Sequence, residues 1–251
     1  MLTRSAAALV ALALFACHPS SRMPADATLL YDVDFASPEQ TAGQPLATVP
    51  AGEEQKFPSR IPTAVFFGHP TVVAKLCGLD HQPLQLAVAR GTNGMEGVEI
   101  LLDRRHAHYH VELDLCVVKL ETPPVSAQKA QLAVFLDIAE AYALAFMATG
   151  DIGVVDPNLA PETVVNPKVV AHYEPGKPMH VAFDFDLDTQ RWQIAIDGAQ
   201  VWDGPLQATI PRAVRVVIRG NPVNEAAFDN LLIWGQRPVP GEGPPLSGED
   251  K

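Results

Sequence analysis

The sequence predicts an all-β protein, a sandwich of two antiparallel sheets, and three observations carry that expectation. Apolar residues recur with a period of two through most of the chain, the spacing of strands with one face on a core and the other toward water. Proline, glycine, asparagine and aspartate punctuate these runs, and the 23 prolines suit loops and edge strands, where proline forfeits no ladder hydrogen bond. No internal repeat or linker interrupts residues 28–235, and a sandwich reaches ~200–250 residues as one domain.

The chain opens on a different pattern. Residues 1–4 carry one positive charge, 5–15 form an apolar, alanine-rich run of 11 residues, and LFA at 14–16 leads into Cys17. A charged start, a short apolar stretch and a small residue before the cut define a secretory signal, and the run is too short for a mature span of ~20 residues. With cysteine at the cut, the segment resembles the lipobox of bacterial lipoproteins. The resemblance implies a leader over 1–16 and lipidation of Cys17, which becomes the new N-terminus. An ordinary signal peptide with an unmodified cysteine, or an uncleaved anchor, stays open. Residues 17–27 then read as a polar, proline-containing tether, and 236–251 (QRPVPGEGPPLSGEDK) as a disordered Pro/Gly-rich tail.

Loss of Arg4 with the leader takes the formal charge from −11 to −12. Such an acidic chain does not fit nucleic acid or a polybasic membrane patch, so membrane contact is expected through acyl chains alone. Cys77 and Cys116 are then left over, with no CxxC redox motif. They are a candidate disulfide in an oxidising compartment, or else two buried thiols packing as small hydrophobes.

The strands follow in order. Ala107, Tyr109, Val111, Leu113 and Leu115 alternate with His106, His108, His110, Glu112, Asp114 and Cys116. Residues 132–139 and 142–155 read as two extended runs around Glu140-Ala141. The helix-favouring composition of 139–148 (AEAYALAFMA) yields there to its β surroundings. Met179, Val181, Phe183, Phe185 and Leu187 alternate with His180, Ala182, Asp184, Asp186 and Asp188 before the turn Thr189-Gln190. Trp192, Ile194 and Ile196 continue the alternation, and Asp197-Gly198 reverses the chain tightly into 199–202. Val214, Val216 and Ile218 alternate with Arg215, Val217 and Arg219.

The hairpin at 180–198 (HVAFDFDLDTQRWQIAIDG) followed by 226–234 (AAFDNLLIW) resembles the C-terminal third of concanavalin A-like jelly rolls, the laminin G and legume-lectin type. Residues 32–67, with Asp34-Phe35 and Phe66-Phe67-Gly68 near their ends, resemble the N-terminal part of secreted bacterial proteins of this class. The resemblance implies a concanavalin A-like jelly-roll β-sandwich. It says little of function, because that fold serves sugar binding, glycan hydrolysis and protein binding alike.

Glycoside hydrolases of this fold carry E-x-D-x-x-E on one strand, one carboxylate as nucleophile and one as acid/base. Glu112 and Asp114 match the first two positions, but Val117 stands at the third and Glu121 lies too far along, so no proton donor remains for a leaving group. His106, His108 and His110 share a strand face with Glu112. A His-x-His pair can approach one ion, and His106-x-His108-x-x-x-Glu112 resembles the first metal motif of cupins. Ile100 and Lys119 stand where that motif has glycines, and no second motif follows. Same-face neighbours start ~6.5–7 Å apart, which puts His106 and His110 out of reach of one ion. The expectation is therefore no metal and no cofactor, with these residues as open polar surface or a groove floor.

Asp184, Asp186 and Asp188 lie outside any D-x-D-x-D-G loop and read as a solvated strand face. Asp229-Asn230 reads as a source of turn or backbone hydrogen bonds. Trp192 and Trp234 fall in core register, which leaves Trp202 as the sugar-stacking platform.

The expected protein is a non-catalytic, lipid-anchored module of the bacterial cell envelope, on the outer membrane or cell surface. Its candidate ligand-binding face is His106, His108, His110, Glu112, Asp114 and Trp202, toward carbohydrate, an envelope polymer or an envelope protein. A divergent glycan-active hydrolase or a metal-binding enzyme on the same face is the alternative. One consequence of the leader is testable at once. Cys17→Ser removes the thiol that acylation requires, so the mature protein is expected to leave the membrane fraction and take up no labelled fatty acid. Mature Cys17→Ser protein that stays membrane-bound without label contradicts the lipidation.

Overall fold

The computed structural model describes residues 23–33, 35, 64–68, 70–88, 95–102, 106–121, 130–135, 142–159, 167–207, 211, 213–219 and 223–238. The leader with Cys17, most of the tail, and Glu140-Ala141 lie outside them. Among the described residues every regular element is a strand, and no helix is long and apolar enough to cross a membrane.

Among these described residues fifteen strands form two antiparallel sheets. They are β1 (Thr28–Val33), β2 (Ala64–Phe67), β3 (Thr71–Val72), β4 (Leu84–Val88), β5 (Met95–Leu101), β6 (His106–Lys119), β7 (Ala130–Phe135), β8 (Ala143–Met147) and β9 (Asp151–Val155). After them come β10 (Lys168–His172), β11 (Met179–Asp186), β12 (Arg191–Ile196), β13 (Ala199–Pro205), β14 (Ala213–Arg219) and β15 (Asn224–Pro238). The first sheet runs β13-β12-β11-β6-β15-β4-β3, with β1 also on β15; the second runs β10-β9-β8-β7-β14-β5-β2. This is an all-β jelly-roll sandwich.

The long strands β6 and β15, of 14 and 15 residues, form the spine of the first sheet. Their inward residues, Tyr109, Val111, Leu113 and Leu115 from β6 and Phe228, Leu231 and Ile233 from β15, are all buried in one core. Val181, Phe183 and Phe185 of β11 and Trp192 and Ile194 of β12 extend it. Leu144, Phe146, Ile152, Val154, Val214, Val216 and Ile218 close it from the second sheet. Trp192 is fully enclosed, its indole N–H donating to buried Asp156 at 2.8 Å and its ring meeting Tyr142 edge-on. Burying an indole without such an acceptor leaves a polar group unpaired at a cost of ~1–3 kcal/mol.

Two readings of the sequence need correction here. The run 142–155 is a hairpin, β8 and β9, because Gly150 takes a positive φ of 86° after Thr149 and turns the chain. The tail begins later than its composition suggests, since Gln236, Arg237 and Pro238 belong to β15. Partners explain this: Gln236 donates to Asp26 at 2.7 Å, and Arg237 pairs with Asp186 at 2.9 Å and Asp188 at 2.8 Å.

Cys77 and Cys116 form a disulfide with Cα atoms 6.3 Å apart. It pins the turn at 76–79 against the outer face of β6, where Leu79, Cys116 and Ala227 make a small apolar cluster. Closing a loop across 39 positions stabilises the fold by about 4 kcal/mol in the chain-entropy model. Replacing both cysteines by alanine is expected to cost about 2–4 kcal/mol in urea unfolding, with the native sheet signature kept in circular dichroism.

Candidate functional site

The outer face of the first sheet carries a row in which imidazoles and carboxylates alternate. Strand geometry builds it. On β6, His108, His110, Glu112 and Asp114 point away from the core because Tyr109, Val111 and Leu113 point into it. Antiparallel register with β11 sets Asp184 opposite His110 and His180 opposite Asp114. Same-face side chains of paired strands start ~4.5–5.5 Å apart, close enough to bond.

The contacts run without a break. Asp184 Oδ1 accepts from His108 Nε2 at 3.1 Å and from His110 Nδ1 at 2.9 Å. His110 Nε2 reaches Glu112 Oε2 at 3.3 Å, and that same oxygen lies 3.5 Å from His180 Nε2. His180 Nδ1 donates to Asp114 Oδ1 at 2.9 Å, and Asn230 Nδ2 donates to Asp114 Oδ2 at 2.7 Å. His110 and His180 each have a carboxylate on both ring nitrogens, so each is a double donor and carries a proton on both. Burial opposes the charge on His110, yet the hydrogen bonds to Asp184 and Glu112 outweigh it, and its pKa is raised to about 9. Hydrogen bonds to Asp114 and then Glu112 raise that of His180 to about 9 against a smaller burial effect. For Asp184, burial is overcome by the hydrogen bonds from His108 and His110, which hold its carboxyl well below the usual range.

Depth varies along the row. The side chains of His110 and Glu112 are only 4% exposed, whereas Asp184 is 40% and Asp114 29% exposed. Trp234 covers the middle. Its ring stacks on His110 with centroids 4.7 Å apart and 16° between planes, and meets His108 edge-on at 5.2 Å. Trp234 is 4% exposed, and its indole N–H is buried without a hydrogen-bond acceptor.

The expected open polar face is thus partly a covered one, and its membership changes. His108, His110, Glu112 and Asp114 come together. His106 stands apart, edge-on to Tyr109 at 5.7 Å and against Gly235. Trp202 is no platform: it is buried at 8% exposure and packs on Trp192 in the core. A bulge opposite Ile194 and Ala195 skips Val201 and swings Trp202 inward, opposite Ile194. Trp234 makes the reverse exchange. Between Asp229 and Leu232 one extra residue enters β15, with Asn230 at a φ of 51°. Ala226 and Phe228 point inward before the bulge and Leu231 and Ile233 after it, which turns Trp234 outward. Asp184, read as solvated, is a central member, as is His180. Alternation on 179–188 already placed both on the outer face; their partners on β6 needed the register.

The row offers carboxylate oxygens to ligand donors. Its imidazolium N–H groups are already committed, and binding a metal there requires neutral imidazoles. Among the described residues no three His, Cys, Asp or Glu side chains are placed to hold a metal ion. Val117, at the third position of the hydrolase spacing, is fully buried in the core.

The stability conferred by the two raised histidine pKa values is fully present below ~6.5, their unfolded value, and is lost as pH rises through about 9. Chemical-shift titration is expected to show His110 and His180 doubly protonated at pH 7.5. Glu112→Gln, which removes the charge between them, is expected to lower both midpoints by about one unit. Midpoints near 6.5 in the unaltered protein contradict the row.

No protein-family model matches the chain, and no curated protein matches it in sequence. Solved structures match in shape. An alginate lyase from Corynebacterium sp. superposes with a TM-score of 0.52 at 9% identity, over 80% of this chain and 91% of that one. A sialidase superposes with a TM-score of 0.50 at 14% identity over 68% of this chain, which spans 16% of the sialidase's length. Likeness at these identities shows the fold, the jelly-roll β-sandwich that the strand order describes.

Proposed function

We propose that this protein is a non-catalytic carbohydrate-binding module, held at the bacterial cell envelope by acyl chains on Cys17, with the outer face of the first sheet as its ligand face. The observation that carries the reading is the ordered row from His108 to Asn230. Polar side chains bonded end to end hold Asp184 and Asp114 in fixed positions at the solvent edge, and preorganised acceptors are what sugar hydroxyls require. The names of two proteins with this fold, an alginate lyase and a sialidase, support a glycan as the ligand class. The leader and Cys17 support the location.

Hydrolysis is not favoured, because buried Val117 leaves the strand without a third carboxylate to protonate a leaving group. The purified protein is expected to release no reducing ends from β-glucans. Glycan-array screening is expected to find binding, and Asp114→Ala to weaken it about tenfold, the effect of one lost charge-assisted hydrogen bond of ~1.4 kcal/mol. An array without binders, or affinity indifferent to Asp114→Ala, overturns the assignment.

A further inference from the structure

Resting on that carbohydrate reading, we infer that the glycan is neutral, recognised through hydroxyl groups near Asp184 and Trp234, and that acidic glycans are rejected. Charge at the solvent edge is the first reason. Among the described residues of the row, the two most exposed ionised groups are the carboxylates of Asp184 and Asp114. The positive charge of His110 lies beneath Trp234, and both its ring nitrogens are bonded to carboxylates. A uronate or sulfate arriving here meets like charge and finds the imidazolium donors already used. The whole chain adds to the repulsion with its formal charge of −11.

Hydrogen-bond chemistry is the second reason, and it is independent of charge. The buried N–H of Trp234 has no acceptor, and its ring lies against His108 and His110, the two imidazoles that hold Asp184. The site therefore holds a carboxylate acceptor at its solvent edge and an unmet donor buried in the ring that packs on the same two imidazoles. A hydroxyl both accepts and donates, so sugar hydroxyls can donate to Asp184 and, once the Trp234 ring shifts to uncover its N–H, accept from Trp234. An ionised carboxylate only accepts, and an ammonium only donates. Hydroxyl is the group on a sugar that matches both.

Isothermal titration calorimetry of the purified full chain at pH 7.5 tests this. The neutral probes are cellopentaose, laminaripentaose, xylopentaose and mannopentaose, and the acidic probes are pentagalacturonate and a heparin tetrasaccharide. At least one neutral probe is expected to bind tenfold or more tighter than either acidic probe. Trp234→Phe keeps the stacked ring and drops the N–H, and is expected to weaken that binding about fivefold to tenfold with the melting temperature unchanged. Asp184→Asn is expected to weaken neutral binding and narrow the gap to the acidic probes. Acidic probes that bind as well as neutral ones overturn the inference and leave the carbohydrate assignment standing. Unchanged affinity in Trp234→Phe also overturns it. If no probe of either kind binds, the carbohydrate assignment fails and the inference falls with it.

Discussion

The antiparallel pairing of β6 with β15 and β11 is the constraint on which the rest of this structure depends. A strand has two faces, and β6 spends one on Tyr109, Val111, Leu113 and Leu115 and the other on His108, His110, Glu112 and Asp114. A slip of one residue against β11 exchanges those faces, which puts ionised groups in the core and apolar ones in water. Core formation and assembly of the polar row are therefore one event. The inward residues select the register because burial drives them, and the outward residues meet their partners as a consequence.

Alternation of sign is what lets so many titratable groups crowd together. Glu112 sits between the imidazoliums of His110 and His180, and each imidazolium sits between two carboxylates. Removing Glu112 leaves one ring nitrogen of each flanking imidazolium without its acceptor, and leaving a buried charged group only partly paired is costlier than never having buried it. The row is consequently rigid. Its interior members organise, and only its outer oxygens at Asp184 and Asp114 are placed to meet a ligand.

Bulges assign the large aromatic residues. Trp234 and Trp202 both sit in strands whose local sequence alternates, yet each occupies the face opposite to the one simple alternation gives. The cause in each case is a single unpaired residue, near Asn230 in β15 and at Val201 in β13. At Asn230 the left-handed backbone is stabilised locally, since Asp229 Oδ1 accepts the Asn230 N–H at 2.8 Å while the Asn230 side chain reaches Asp114. The Asp-Asn pair thus connects the fold to the row.

Much of the architecture was legible in the chain because period two is a local property. Burial on one face and water on the other leave a trace in every half-buried strand, as in β6, β11, β12 and β14, and Asp197-Gly198 marks its own turn. Short or fully buried strands such as β3, β8 and β9 leave a weaker trace. Residues 143–147 are buried on both faces, so nothing alternates and composition points toward helix. Of the row, sequence determined which side chains share a face of β6 and which share a face of β11. The tertiary structure alone decided that these faces are one surface, that His110 and Glu112 are sealed within it, and that Trp234 covers His110 while Trp202 does not. The physical reason is that register and bulges arise from pairing between segments separated by up to a hundred residues or more, and no local window carries the energy that selects them.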